Sequence, residues 1–163
     1  FRDRADIDFA VVGGMRDPAL EVPLRQLLAS TPNVRLLGAL AHRATRERIR
    51  RAHLLVVPSR MEGGANVIVE AITAGTAVLA SDCDGNLGML GADYSGIFAV
   101  RDDEGLAHLL ARFRTDQAFR QHLGEQCRAL APRFTPESER RALIATIAAL
   151  APDVRPAPLA TGR

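Results

Sequence analysis

Two carboxylates with seven residues between them, Glu62 and Glu70, enclose the stretch of this chain best suited to chemistry, Gly63-Gly64-Ala65-Asn66-Val67-Ile68-Val69. The glycine pair Gly63 and Gly64 lets the backbone turn tightly and leaves room for a ligand to approach. Glu70 is the only charged residue between Val67 and Ser81. Burying a carboxylate without a partner is costly, so Glu70 must face a cleft, a hydroxyl or a cation. Glu62 precedes the apolar run, beside the loop amides. The pair could hold a polyhydroxy ligand at two points with a phosphate between them. The plainer reading also fits: Glu62 aids capping and Glu70 is a solvated helix residue, because a carboxylate pair alone is weak evidence.

The elements around these residues form one unit. Leu54 to Val57 is an apolar run that reads as a buried strand, stopped by Pro58 and Ser59. Asn66 is a candidate N-cap for a helix from Val67 to Ala74, and Gly75 a candidate C′ residue that ends it. Ala77 to Ala80 is a second buried strand. Val67-Ile68-Val69 favours a strand by propensity; the flanking Asn66 and Gly75 favour the helix. A strand, glycine loop, helix and strand in that order place a helix N-terminus where an anion can bind.

This segment resembles the donor-binding motif of the retaining, two-domain (GT-B) glycosyltransferases of family four, in which Pro-Ser-x-x-Glu-Gly and a second Glu frame a nucleotide-sugar site. The similarity runs from Ile7 to about Ala149. A finer likeness lies in Ser59-Arg-Met-Glu-Gly-Gly-Ala-Asn66, Glu70-Ala-Ile-Thr-Ala-Gly75, Gly85-Asn86, Gly88-Met-Leu-Gly91 and Asp93-Tyr94, which resemble the selenosugar synthases of selenoneine biosynthesis. Gly64 and Asn66 stand where the wider family usually has an aromatic residue and Leu, and Ala77 where it commonly has Pro.

The resemblance implies a donor half that holds a UDP-sugar, with UDP-N-acetylglucosamine as the specific expectation and selenophosphate as the acceptor. It implies that Glu70 accepts from the ribose hydroxyls and that Glu62, the catalytic candidate, contacts the transferred sugar. The amides of Gly64, Ala65 and Asn66, with the helix dipole, would stabilise the departing diphosphate. Arg60 could add a cation to Gly63 and its neighbours, so no metal or other cofactor is expected. The same resemblance puts Gly13 and Gly14 at the phosphates or donor sugar and Leu37 to Leu40 on the base; plain turns fit both places equally. Two other readings compete: a non-catalytic sugar-nucleotide-binding module, and an epimerase or phosphorylase of similar architecture.

The rest of the chain reads in order. Ile7 to Val12 is a strand ended by Gly13-Gly14, which lack the third glycine and downstream acid of a dinucleotide fingerprint. Ala19 to Ser30 is a helix with Leu20, Leu24, Leu27 and Leu28 on one face, and Asn33 to Leu37 a strand. Thr45 to Ala52 is a short helix carrying Arg46, Arg48, Arg50 and Arg51, more simply a solvated face than a membrane or acidic-partner surface. His42 and His53 flank it and carry no assigned role. Asp82 to Gly91 is rich in turn formers and reads as an irregular loop at a strand's carboxyl end, with Gly85 and Asn86 as a candidate second wall. Gly96 to Val100 is a strand. Asp102 or Asp103 caps a helix from Glu104 to Phe113, Asp116 caps one from Gln117 to Leu130, Pro132 breaks the chain, and Thr135 caps a last helix to about Leu150.

Alternating strands and helices imply an α/β fold with a doubly wound parallel sheet. Residues 1–150 form the donor-binding domain, the proline-rich 151–163 a disordered tail, and an N-terminal acceptor domain is expected outside this chain, which begins at Phe1 rather than Met. With 163 residues, 47% hydrophobic, the chain suffices for one cored domain. It has no Lys, and its net charge of +2 with 4% aromatics gives no footing for nucleic acid. No apolar run reaches membrane-spanning length, so stable membrane insertion is not expected. Cys83 and Cys127 read as reduced thiols of a cytoplasmic protein, and no metal-ligand spacing occurs.

Overall fold

A computed structural model describes residues 1, 4, 6–15 and 17–150. Strands and helices alternate: β1 (Phe9–Val12), a 3-10 turn at Pro18–Leu20, α1 (Glu21–Ala29), β2 (Val34–Gly38), α2 (His42–Arg51), β3 (Leu54–Val57), α3 (Asn66–Ala74), β4 (Ala77–Ser81), α4 (Asp84–Leu90), β5 (Ile97–Phe98), α5 (Asp103–Thr115), α6 (Gln117–Leu130), a 3-10 turn at Ala131–Phe134 and α7 (Pro136–Leu150). Every strand pairing is parallel, as the alternation requires. Hydrogen bonds join β1 to β2 in one sheet and order β3-β4-β5 in another. Leu54 lies opposite Ala77 and Val57 opposite Ala80, so the two apolar runs read from the sequence are adjacent strands. β4 is buried along its whole length.

The core is built by the part of the molecule from Ile49 onward. Ile68, Val78, Leu79, Ala80 and Leu123 are fully enclosed. Tyr94 donates its hydroxyl to the Val78 carbonyl at 2.8 Å and lies 3.3 Å from the Cys127 sulfur. By contrast α1 buries no residue, and β1 and β2 have none fully enclosed. Phe9, Val11, Leu24, Leu27, Leu28 and Leu36 line an apolar cavity of about 410 Å³ on that half.

Four expectations are corrected. Asp84–Leu90 is a helix, not an irregular loop. Its glycines are poor helix formers, but Asn86 and Leu90 are anchored in the core and override them. Asn86 is therefore not part of a second wall: it is fully buried. Asn66 is not an N-cap. The cap position is Ala65, whose buried side chain and extended backbone start the helix one residue earlier. α2 starts at His42, three residues before the expected Thr45, because the chain enters from extended Ala41, whose carbonyl receives the Thr45 amide at 3.0 Å. Other expectations hold. Gly75 adopts the left-handed conformation, φ 77°, that ends α3. Asp102 and Asp116 accept from the Gly105 and Phe119 amides and cap α5 and α6. Val67-Ile68-Val69 is helical because burying Ile68 and its neighbours outweighs a propensity of a few tenths of a kcal/mol. The expected tail, 151–163, lies outside the described residues.

Candidate functional site

The loop from Pro58 to Ala65 leaves β3 at its carboxyl end and delivers the chain to the N-terminus of α3. Its shape is fixed from below by a line of hydrogen bonds. Buried Asn86 donates to the Ser81 hydroxyl and to the Ser81 carbonyl, each at 3.1 Å. The Ser81 hydroxyl donates to the Ser59 carbonyl. The Ser59 hydroxyl donates to Glu62 Oε1 at 3.0 Å. The catalytic candidate is thus tied to the core through two serines and an amide. Gly85 fixes the loop's height. A Cβ there would lie 2.1 Å from the Glu62 carbonyl oxygen and 2.9 Å from the Gly64 nitrogen, so only glycine allows the contact. Gly85 supports the loop from behind and does not face it across a cleft. Gly64, at φ 151°, occupies backbone space that side-chain-bearing residues avoid.

Above this support lies the α3 N-terminus, whose first amides have no intrahelical acceptor and carry the positive end of the helix dipole. Gly63, Gly64 and Asn66 are exposed, and Ala65 turns its methyl inward. Arg60 is exposed and forms no ion pair among the described residues. Gly13 and Gly14 are exposed just past β1, where the Gly13 amide donates to the Gly38 carbonyl at 2.9 Å. Leu37, on β2, is partly buried.

Glu70, one turn into α3, is held differently from Glu62. Its side chain is 13% exposed, and its Oε1 lies 2.6 Å from His42 Nε2 at the start of α2. A carboxylate can only accept, so the imidazole donates. Oε2 is buried and has no partner among the described residues. Glu70 opens into a hollow of about 630 Å³ between α2 and α3, shared with His42, Arg43, Arg46, Arg50 and Thr73. Glu62 does not line it. The two carboxylates therefore do not share this hollow, and residues 63–69 separate them along the chain. Sequence reasoning missed His42, which stands 28 residues from its partner; only the packing of α2 on α3 brings them together.

Residues 2–130 match the model of the family described as glycosyl transferases group 1. The chain belongs to that family. As a group 1 glycosyl transferase it shares its fold with several solved structures. Sucrose-phosphate synthase from Thermosynechococcus elongatus is 25% identical with a TM-score of 0.69, over 86% of this chain and 38% of that one. HepE from Anabaena, in complex with UDP-glucose, is 18% identical with a TM-score of 0.74, over 90% and 42%. HepE in complex with UDP gives 18% and 0.73, over 90% and 42%. The chain spans about two fifths of the length of these structures. No curated protein sequence matches it. Among the described residues, no helix of this group 1 chain is long and apolar enough to cross a membrane, and no cluster of three or more His, Cys, Asp or Glu could hold a metal ion.

Proposed function

We propose that this chain is the donor-holding half of a glycosyltransferase that uses a UDP-sugar. The observation that carries the reading is Glu70, with one carboxylate oxygen held by His42 and the other buried without a donor, one turn from the open amides of α3. A ribose hydroxyl donates to the edge of this carboxylate that opens into the hollow between α2 and α3. The diphosphate lies on the α3 N-terminus, where exposed Gly63 and Gly64 permit close approach. Glu62, tied in place by Ser59, meets the hydroxyls of the transferred sugar. The base lies past β2, near Leu37 and Gly38. The anomeric carbon exchanges its bond to the diphosphate oxygen for a bond to the acceptor. Negative charge grows on the leaving UDP in that step, so amides aimed at it lower the barrier rather than merely adding affinity. Family membership and the UDP complexes of HepE support this donor class.

The finer reading is that the donor is UDP-N-acetylglucosamine and the acceptor selenophosphate, giving a selenosugar. The string Ser59 to Asn66 with Gly85-Asn86 and Asp93-Tyr94 supports it. Acceptor contacts would come mostly from parts of the protein outside residues 1–163. The test is mass spectrometry of products from the intact protein, given UDP-glucose or UDP-N-acetylglucosamine, with and without selenophosphate. Selenium-dependent UDP release with a selenosugar product is expected. UDP release only with another acceptor would remove the finer reading, and no transfer from any UDP-sugar would remove the broader one. In the same assay Glu70→Ala is expected to weaken donor affinity about 10- to 100-fold, the loss of a charged hydrogen-bond acceptor. Glu62→Ala is expected to lower turnover more than affinity.

A further inference from the structure

Glu70 is a long side chain with three torsions, and a carboxylate free to rotate would present its oxygens to a ligand only part of the time. Here it is not free. Oε1 lies 2.6 Å from His42 Nε2, and no other described side chain bonds either carboxylate oxygen. Arg43 and Arg46 line the same hollow but form no ion pair with Glu70. Arg50 is engaged by Glu47 at 2.9 Å. The imidazole itself is 75% exposed. It contributes little to the core, and the one hydrogen bond described for its side chain is to Glu70.

We propose that His42 is a positioning residue. By donating to Oε1 it locks the Glu70 carboxylate so that the edge open to the hollow meets the donor's ribose hydroxyls, and it thereby sets the site's preference for ribonucleotides over deoxyribonucleotides. The inference rests on the reading of Glu70 as the ribose acceptor. Its physical basis is preorganisation: a carboxylate already fixed loses no rotamer freedom when the ribose arrives, so the full strength of the hydroxyl contact appears as affinity. With His42 removed, the carboxylate can turn toward solvent or toward Arg43 and Arg46, and the ribose must compete for it. The imidazole is 75% exposed, so replacing His42 removes little packing, and a denaturation midpoint measured for each variant separates loss of positioning from loss of fold.

The experiment measures binding of UDP and of 2′-deoxyuridine diphosphate by calorimetry to the intact protein, its His42→Ala variant and its His42→Gln variant. The native protein is expected to prefer UDP by about tenfold or more, as a site that hydrogen-bonds a hydroxyl does. His42→Ala is expected to weaken UDP about 5- to 10-fold while changing the deoxy ligand less than about twofold. His42→Gln, whose amide can still donate, is expected to recover most of the preference. In turnover, His42→Ala is expected to raise KM for the donor with little change in kcat. A His42→Ala variant that keeps the native preference, or loses both ligands equally, overturns the proposal while leaving Glu70's role standing. A native protein that does not distinguish UDP from its 2′-deoxy form overturns the ribose reading itself, and the proposal with it.

Discussion

Gly85→Ala tests whether the loop carrying Glu62 is held by the helix behind it. The added Cβ would stand 2.1 Å from the Glu62 carbonyl oxygen, 2.6 Å from its carbon and 2.9 Å from the Gly64 nitrogen. All three are backbone atoms, so no side chain can swing aside. Ordinary contact requires the loop and α4 to separate by about 1 Å or slightly more. α4 cannot retreat easily, because Asn86 and Leu90 are locked in the core. The displacement therefore falls on the loop, and with it on the Ser59 to Glu62 hydrogen bond. Overpacking of this kind costs about 1–3 kcal/mol, readable as a lowered midpoint in chemical denaturation. A shift of about 1 Å at a catalytic group lowers turnover by about 100-fold. Because Glu70 sits on α3, held by His42 and lining a hollow that Glu62 does not, donor affinity should fall less than kcat. The assay is steady-state UDP release by the intact protein with binding measured in parallel. A variant with native stability and native kcat would refute the claim that Gly85 sets the loop's position. One that loses affinity and kcat alike would refute the separation between the two carboxylates.

Two further outcomes follow from the core. Asn86→Ala removes both donors to Ser81 and leaves a cavity, so we expect a loss of about 1–3 kcal/mol in denaturation and a turnover defect resembling that of Gly85→Ala, since the line to Glu62 begins there. Burial, and then Cys127, push the Tyr94 hydroxyl well above its ordinary value of 10.0, and burial raises Cys127 above 9.0. Below those ordinary values both groups are protonated in folded and unfolded chains, and their stabilisation is fully present. Above them the unfolded chain releases protons that the folded chain retains, so stability falls as pH rises from about 9 onward. Tyr94→Phe should be less stable at neutral pH by about 1–3 kcal/mol, having lost the donor to Val78, yet show a shallower alkaline decline in thermal melts across pH. An unchanged alkaline slope would count against a buried, protonated Tyr94.

Much of this architecture can be read from residues in order. Leu54 to Val57 and Ala77 to Ala80 announce adjacent buried strands because parallel strands covered on both faces need no polar alternation. Gly75, Asp102 and Asp116 mark helix ends through local chemistry that needs no partner. What escaped depends on distant contacts. α4 looks like a loop until Asn86 and Leu90 are seen inside the core. Gly85 looks like a flexible wall residue until the Glu62 backbone is found against it. The pairing of His42 with Glu70 has no local signature, since a histidine before an arginine-rich helix is ordinary in itself. That Glu62 does not line the hollow of Glu70 is likewise a property of the turn, not of their spacing.

Enclosed apolar residues are concentrated from Ile49 onward, while β1, β2 and α1 remain comparatively open. Backbone amides on the two sides should therefore exchange with heavy water at very different speeds, rapidly in the β1–β2 ladder and slowly in β3–β4. Gly13 and Gly38 belong to the quick side, Glu62 and Glu70 to the slow one. A nucleotide that reaches from one to the other would act as a splint, and its arrival would register first as retarded deuterium uptake in residues 9–12 and 34–38.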